Sequence, residues 1–233
     1  MSLYDRNHLT SEYDASYDAP LEQGRVSKLI KETYALLTAS MVAAAAGAYI
    51  AMSTGVAMGL NPLLYFILMI GLIFAMQFAV NRGANSLALV LLFAFTFITG
   101  LTLGKVLSLY IGAGMGGVVT QAFVATAVTF GALTVYAMNS KVNVDGWGKP
   151  LFISLIAVII IGFLNYFFFK SSLVSLGISG FSALLFSFYI IYDTKNIING
   201  VYTSPIMAAV GMYLNIYNLF MSLLNILGFA NRD

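Results

Sequence analysis

Between Glu32 and Asp233 the sequence carries two acidic residues, Asp145 and Asp193, in the 200 positions 33–232. No soluble fold of this length hides so much apolar surface from water. A soluble globular domain carries about 25% charged residues. This chain carries 9%, with 60% hydrophobic residues and a mean hydropathy of +0.90. In lipid the difficulty disappears, because the solvent is itself apolar. The other six acids (Asp5, Glu12, Asp14, Asp18, Glu22 and Glu32) crowd into the first 33 residues. The reading is therefore a polar, partly disordered cytoplasmic tail over 1–33, followed by a membrane domain over 34–230. The tail is too long and too acidic for the n-region of a cleaved signal peptide.

A spanning helix needs about 20 mainly apolar residues, and seven such runs can be marked. They are Tyr34 to Met52, Leu63 to Val80, Ser86 to Tyr110, Val118 to Met138, Leu151 to Phe169, Leu173 to Tyr192 and Pro205 to Gly228. Breaks rich in Gly, Asn, Pro or Lys separate them, the most polar running from Asn139 to Pro150. The predicted fold class is all-α: a polytopic bundle of seven transmembrane helices. With the N-terminus inside, Arg25, Lys28, Lys31, Arg82, Lys141, Lys149 and Lys195 fall on the cytoplasmic side. Lys105, Lys170 and Arg232 fall outside. That bias predicts a cytoplasmic N-terminus and an external C-terminus. A re-entrant last run is the alternative, and it returns the C-terminus to the cytoplasm. The net charge of +2 is too small to call for nucleic acid, so the bilayer is the partner that composition demands.

Charged groups inside a membrane are expensive and mark function, which singles out Asp193. Upstream of it Ser175, Ser179 and Ser182 share one helical face, so the sixth run is hydroxyl-lined and ends in a carboxylate. In the seventh run Asn215, Asn218, Ser222 and Asn225 are spaced 3, 4 and 3, again along one face. Two readings stand side by side. One is interhelical hydrogen bonding, worth about 0.6 kcal/mol per contact. The other is a polar path with a gate at Asp193. Ala39, Ala43, Gly47 and the Gly100–Gly104 pair read as small-residue packing. Threonines of the fourth run, among them Thr126 and Thr134, read as bonded to their own backbone one turn back.

Enzyme chemistry lacks its parts. The Gly177-Ile178-Ser179-Gly180 element has no base to activate its serine, since the one histidine is His8, in the tail. There is no cysteine, and one membrane carboxylate makes neither an aspartyl dyad nor a metal site. The expectation is a protein that is not an enzyme and has no cofactor.

The run Gly180 to Gly200, with Tyr192-Asp193-Thr194 inside it, resembles the sixth-span signature of the Bax inhibitor (TMBIM) family, in its bacterial branch. Ala208 to Gly228, with Tyr213-Leu214-Asn215-Ile216-Tyr217-Asn218-Leu219-Phe220, resembles that family's seventh span. Phe93 to Leu101 and Thr129 to Trp147 are also similar, and the likeness covers about residues 25–229. It implies a bundle whose seventh helix is central and a calcium leak modulated by protonation, with Ca²⁺ as permeant ion. Some bacterial relatives are associated with a membrane-embedded AAA protease, which implies a second reading as a modulator of membrane-protein quality control. A bacterial inner membrane is the implied location. In pH-sensing members two aspartates on the sixth and seventh helices share a proton, and an arginine near the second helix is their latch. Asp193 matches the first aspartate and Arg82 the latch, but the second aspartate is Asn215. Without paired carboxylates the expected pH response is weaker or shifted to acid. One carboxylate offers Ca²⁺ a transient contact at most.

Overall fold

The computed structural model describes the backbone of residues 3–59 and 61–231, with side chains from residue 23 onward except residue 58. Seven helices follow one another: α1 Leu3–Thr54, α2 Pro62–Asn81, α3 Asn85–Gly112, α4 Gly116–Asn139, α5 Gly148–Leu164, α6 Ser172–Ile198 and α7 Pro205–Ala230. A single 3₁₀ turn, Val56–Gly59, joins α1 to α2, and a π turn, Asn165–Phe169, extends α5. All seven are long and apolar enough to cross a membrane, α1 through its part Gln23–Thr54. The chain is an all-α polytopic membrane protein.

The helix starts are written locally. Asn61 caps α2, its Oδ1 accepting from the Leu63 and Leu64 amides at 2.9 and 3.4 Å, with Pro62 in the first turn. Ser171 and Ser204 do the same for α6 and α7 through Val174 and Met207, again with a proline, Pro205, opening α7. Proline is favoured there because the missing amide has no helical partner to lose. The tight α5–α6 corner turns on Lys170, whose φ of 47° is the one positive value at a described non-glycine residue. The Asn165 side chain braces that corner, accepting from the Ser171 amide at 3.0 Å and donating to its carbonyl at 3.2 Å.

The seventh helix is central. Of its most apolar stretch 56% is buried, against 39% or less for the other six, and it packs on α6, α4, α1 and α3. α2 lies on α3 and α5 on α6, leaving faces such as Leu64, Phe74, Phe152 and Phe168 for lipid. Such a bundle gains little from the hydrophobic effect between helices, so close packing must hold it. The α1–α3 pair shows how. A Cβ on Gly47 would strike the Phe97 carbonyl, one on Gly100 the Ala44 carbonyl, and one on Gly104 the Ala48 carbonyl. The two backbones touch, and only glycine fits.

Three expectations change in detail. The seam on α1 is Ala44, Gly47, Ala48 and Ala51, all buried; Ala39 is exposed and Ala43 half-buried. The change from polar to apolar sequence near residue 33 is not a structural break, because α1 runs through it and Leu29 and Thr33 are already buried. Residues 1 and 2 of the expected tail lie outside the described residues, and for 3–22 the backbone alone is described. The polar segment expected as a loop from Asp193 is helical as far as Ile198, which takes Asp193 off the helix end and into the bundle.

Replacing Gly100 by leucine forces the two backbones apart. We expect a loss of about 1–3 kcal/mol, the usual range for overpacking. Thermal unfolding in lipid nanodiscs checks it, with Gly131→Leu, where a Cβ meets nothing within 4 Å, as the silent control.

Candidate functional site

Asp193 is buried, at 5% exposure, one and a half turns before the end of α6. A buried carboxylate must have its oxygens satisfied, because an unpaired charge in a low dielectric is very costly. Both oxygens are. Asn215 Nδ2, on α7, donates to Oδ2 at 2.6 Å, and the Tyr202 hydroxyl, in the α6–α7 connection, donates to Oδ1 at 2.9 Å. The carboxylate thus closes a ring formed by the end of α6, the following turn and the first half of α7. Neither donor is charged. Burial, with the negative Asp193 beside it, pushes the Tyr202 hydroxyl up from its usual range, so the phenol remains a donor across physiological pH.

Gly211 packs closely against the ring. A Cβ on Gly211 would lie 3.3 Å from Asp193 Oδ2 and 3.4 Å from the Tyr202 hydroxyl, which is tight against oxygens whose places are set by short bonds. Two residues beyond Asp193, Lys195 is also buried. Its ammonium donates to the Ser140 carbonyl at the C-terminus of α4, where the helix dipole favours a cation. Acid and base therefore sit on one helix without pairing, each held by neutral groups of a different neighbour.

Arg82 lies elsewhere. It caps α2, is exposed and stacks its guanidinium 4.5 Å over the Phe78 ring, a cation–π contact. Among the described residues it forms no ion pair, so the latch implied by resemblance is not engaged. It does emerge at the end of the bundle to which the C-terminal turns of α6 point.

The polar path divides. Ser179, Ser182 and Ser222 are buried, while Ser175, Asn218 and Asn225 are half-buried. Asn218 donates to the Leu214 carbonyl at 2.8 Å and Ser222 to the Asn218 carbonyl at 2.7 Å, both within α7. At the far end Ser175 and Asn225 open on a cavity of ≈ 540 Å³ bounded also by Asn165, Lys170 and Ser171. Between this cavity and Asp193, the buried Phe186, Ile190 and Leu219 pack together. The seam is polar at both ends and sealed by an apolar layer in the middle.

The comparisons agree with this architecture. The family model described as inhibitor of apoptosis-promoting Bax1 matches residues 26–232. The chain belongs to the Bax inhibitor family. Among its relatives in that family, a Campylobacter jejuni protein is 45% identical over 97% of each chain. A Helicobacter pylori protein is 37% identical over the whole of both. An Escherichia coli relative named modulator of FtsH protease YccA is 34% identical over 88% of this chain and 92% of its own, and another copy is named an inner membrane protein. The seven apolar helices and the E. coli relative named an inner membrane protein support a multi-pass protein of a bacterial inner membrane.

Sequence reasoning missed Tyr202, Gly211 and the Lys195–Ser140 bond. None has a periodic signal: two lie in or beside a connection and act through tertiary contact. It also missed a hydroxyl cluster among α2, α3 and α7, in which Thr99 meets the Tyr213 hydroxyl at 2.6 Å and Thr102 donates to Tyr65 at 3.0 Å.

Tyr202→Phe leaves one carboxylate oxygen without its donor. A hydrogen bond to a charged group contributes about 1.5–3 kcal/mol, so at neutral pH the melting temperature should fall by roughly 2–4 °C for each kcal/mol lost. In an Asp193→Asn background the same substitution should cost much less, and the double-mutant cycle reads that difference.

Proposed function

We propose that the protein is a pH-modulated cation leak, with Ca²⁺ as permeant ion, and that the Asp193–Asn215 bond holds its closed state. The observation that carries this reading is a buried carboxylate joining the two helices of a polar seam. That seam has an open cavity at its other end and Phe186, Ile190 and Leu219 sealing the middle. An ionisable group inside a membrane bundle is costly and marks function by default, which supports this reading. The basic residues support an N-terminus in the cytoplasm and a C-terminus outside, which puts Asp193 at the cytoplasmic end and the cavity at the outer end. In this reading Arg82, free of any acid in the closed state, takes up the carboxylate when α6 and α7 part. The site is read as a gate rather than a catalytic centre, since its one acid is held by the neutral Asn215 and Tyr202 and Lys195 is turned away to the Ser140 carbonyl.

Calcium flux into proteoliposomes across a pH series tests the proposal. Wild type should respond to pH, and Asp193→Asn should lose that response. Asn215→Asp restores two carboxylates that cannot both be charged at this spacing. It should give a flux that falls steeply as the pH is lowered and the pair takes up a shared proton. Equal flux from wild type and Asp193→Asn at every pH sinks the gate.

A second reading is favoured by the E. coli relative named modulator of FtsH protease YccA. On it the chain binds a membrane-embedded AAA protease, with the acidic first 24 residues as the contact. Deleting residues 1–24 and capturing partners from membranes separates the two. A leak survives the truncation, whereas binding of the protease through the tail does not.

A further inference from the structure

A lysine in the turn between two spans stands at the level of lipid headgroups, and Lys170 lies between the spans Gly148–Phe169 and Ser172–Ile198. Its backbone is held in place. The φ of 47° is one that glycine adopts freely and other residues adopt at a cost, and the Asn165 side chain bonds both backbone groups of Ser171 beside it. The Lys170 side chain is exposed and lines the cavity of ≈ 540 Å³ at this corner, together with Ser172, Ser175 and Asn225. No acidic residue lines it, so one positive charge stands there among neutral groups that donate hydrogen bonds. The volume falls in the range of about 300–1,000 Å³ usual for small-molecule sites.

A second cavity, of ≈ 370 Å³, shares Tyr166 and Phe167 with the first as a common wall. Its character is the opposite. Leu63 and Phe66 of α2 line it with Ile159 and Phe163 of α5, so it reaches about three helical turns of α5 below Lys170, toward the middle of the bilayer. Gly162 lines it as well, and a Cβ there would meet nothing within 4 Å. Beside the two cavities Phe168, Phe169 and Leu173 are exposed, as aromatic and apolar side chains at a lipid boundary are. A small anion needs the first cavity alone, and a hydrocarbon the second alone. A molecule that is negative and polar at one end and apolar over the rest fills both. We propose that the two cavities form one site for an anionic phospholipid, with its phosphate at Lys170 and an acyl chain in the groove between α2 and α5. A lysine ammonium is a usual point-charge partner of phosphate, and Ser172, Ser175 and Asn225 can donate to the remaining oxygens of the headgroup. Binding here requires no parting of α6 and α7, so the site stands whether or not the seam conducts.

Native mass spectrometry of the whole protein, released from nanodiscs of equal parts phosphatidylcholine and phosphatidylglycerol, reads the lipid that stays bound. Wild type should retain phosphatidylglycerol in preference to phosphatidylcholine. Lys170→Gly should lower that preference about five-fold, the effect of one lysine at an anionic surface. Because glycine suits the backbone at this position, the variant should melt no lower than wild type in phosphatidylcholine alone, so the lost preference reads binding and not folding. Gly162→Leu fills the groove and leaves the charge in place, and it should lower the retained phosphatidylglycerol as well. No preference in wild type, or an undiminished one in Lys170→Gly, overturns the site. A loss in Lys170→Gly with none in Gly162→Leu also overturns it, since a diffuse attraction to the charged surface then accounts for the result. Glycerol phosphate added to phosphatidylcholine nanodiscs tests a free phosphate as the occupant. If it raises the melting temperature as much as phosphatidylglycerol does, the anion fills the polar cavity by itself and the lipid is ruled out. Lys170→Gln supplies the same readout where the glycine variant does not fold.

Discussion

A carboxylate kept from water must find donors, and the arrangement around Asp193 follows from that requirement. One oxygen is given to α7 and the other to the turn that leads into α7. The α6–α7 connection is therefore folded back on the helix it leaves. Glycine at 211 leaves space beside both bonds. Paired carboxylates would hold this junction only when a proton is shared between them. The Asn215 amide can donate to an ionised Asp193, so with an amide at position 215 the junction needs no proton shared between two acids.

The span count was legible because in lipid it depends on one quantity, the apolar length of a run, which needs no tertiary information. Helix ends from α2 onward moved by no more than three residues, counting the π turn with α5, apart from the C-terminus of α6. There the rule failed for a physical reason. Asp193 and Lys195 look like the beginning of a loop in water, yet each is held by groups outside α6 and the backbone continues as α-helix to Ile198. A polar residue at a span boundary is ambiguous until its partners are known.

The site was legible in part. The facing of α6 and α7 placed Asp193 against Asn215, and the resemblance to a family named the pair. The stripe on α7 was harder to read, because an amide or hydroxyl can turn to its own helix, as Asn218 and Ser222 do. Periodicity gives the face of such a residue but not its bond. Arg82 illustrates the opposite limit: the right residue type in the right connection, engaged in this state with Phe78.

The backbone contact between α1 and α3 has a mechanical corollary. Helices joined carbonyl to glycine over Gly47, Gly100 and Gly104 have no side-chain cushion to deform, so they behave as a single rigid beam. α5, by contrast, touches chiefly α6, and the two are joined by a π turn and a left-handed lysine. The α5–α6 pair is therefore tied to the bundle through α6, on α7 and α4, and not through a backbone seam of its own.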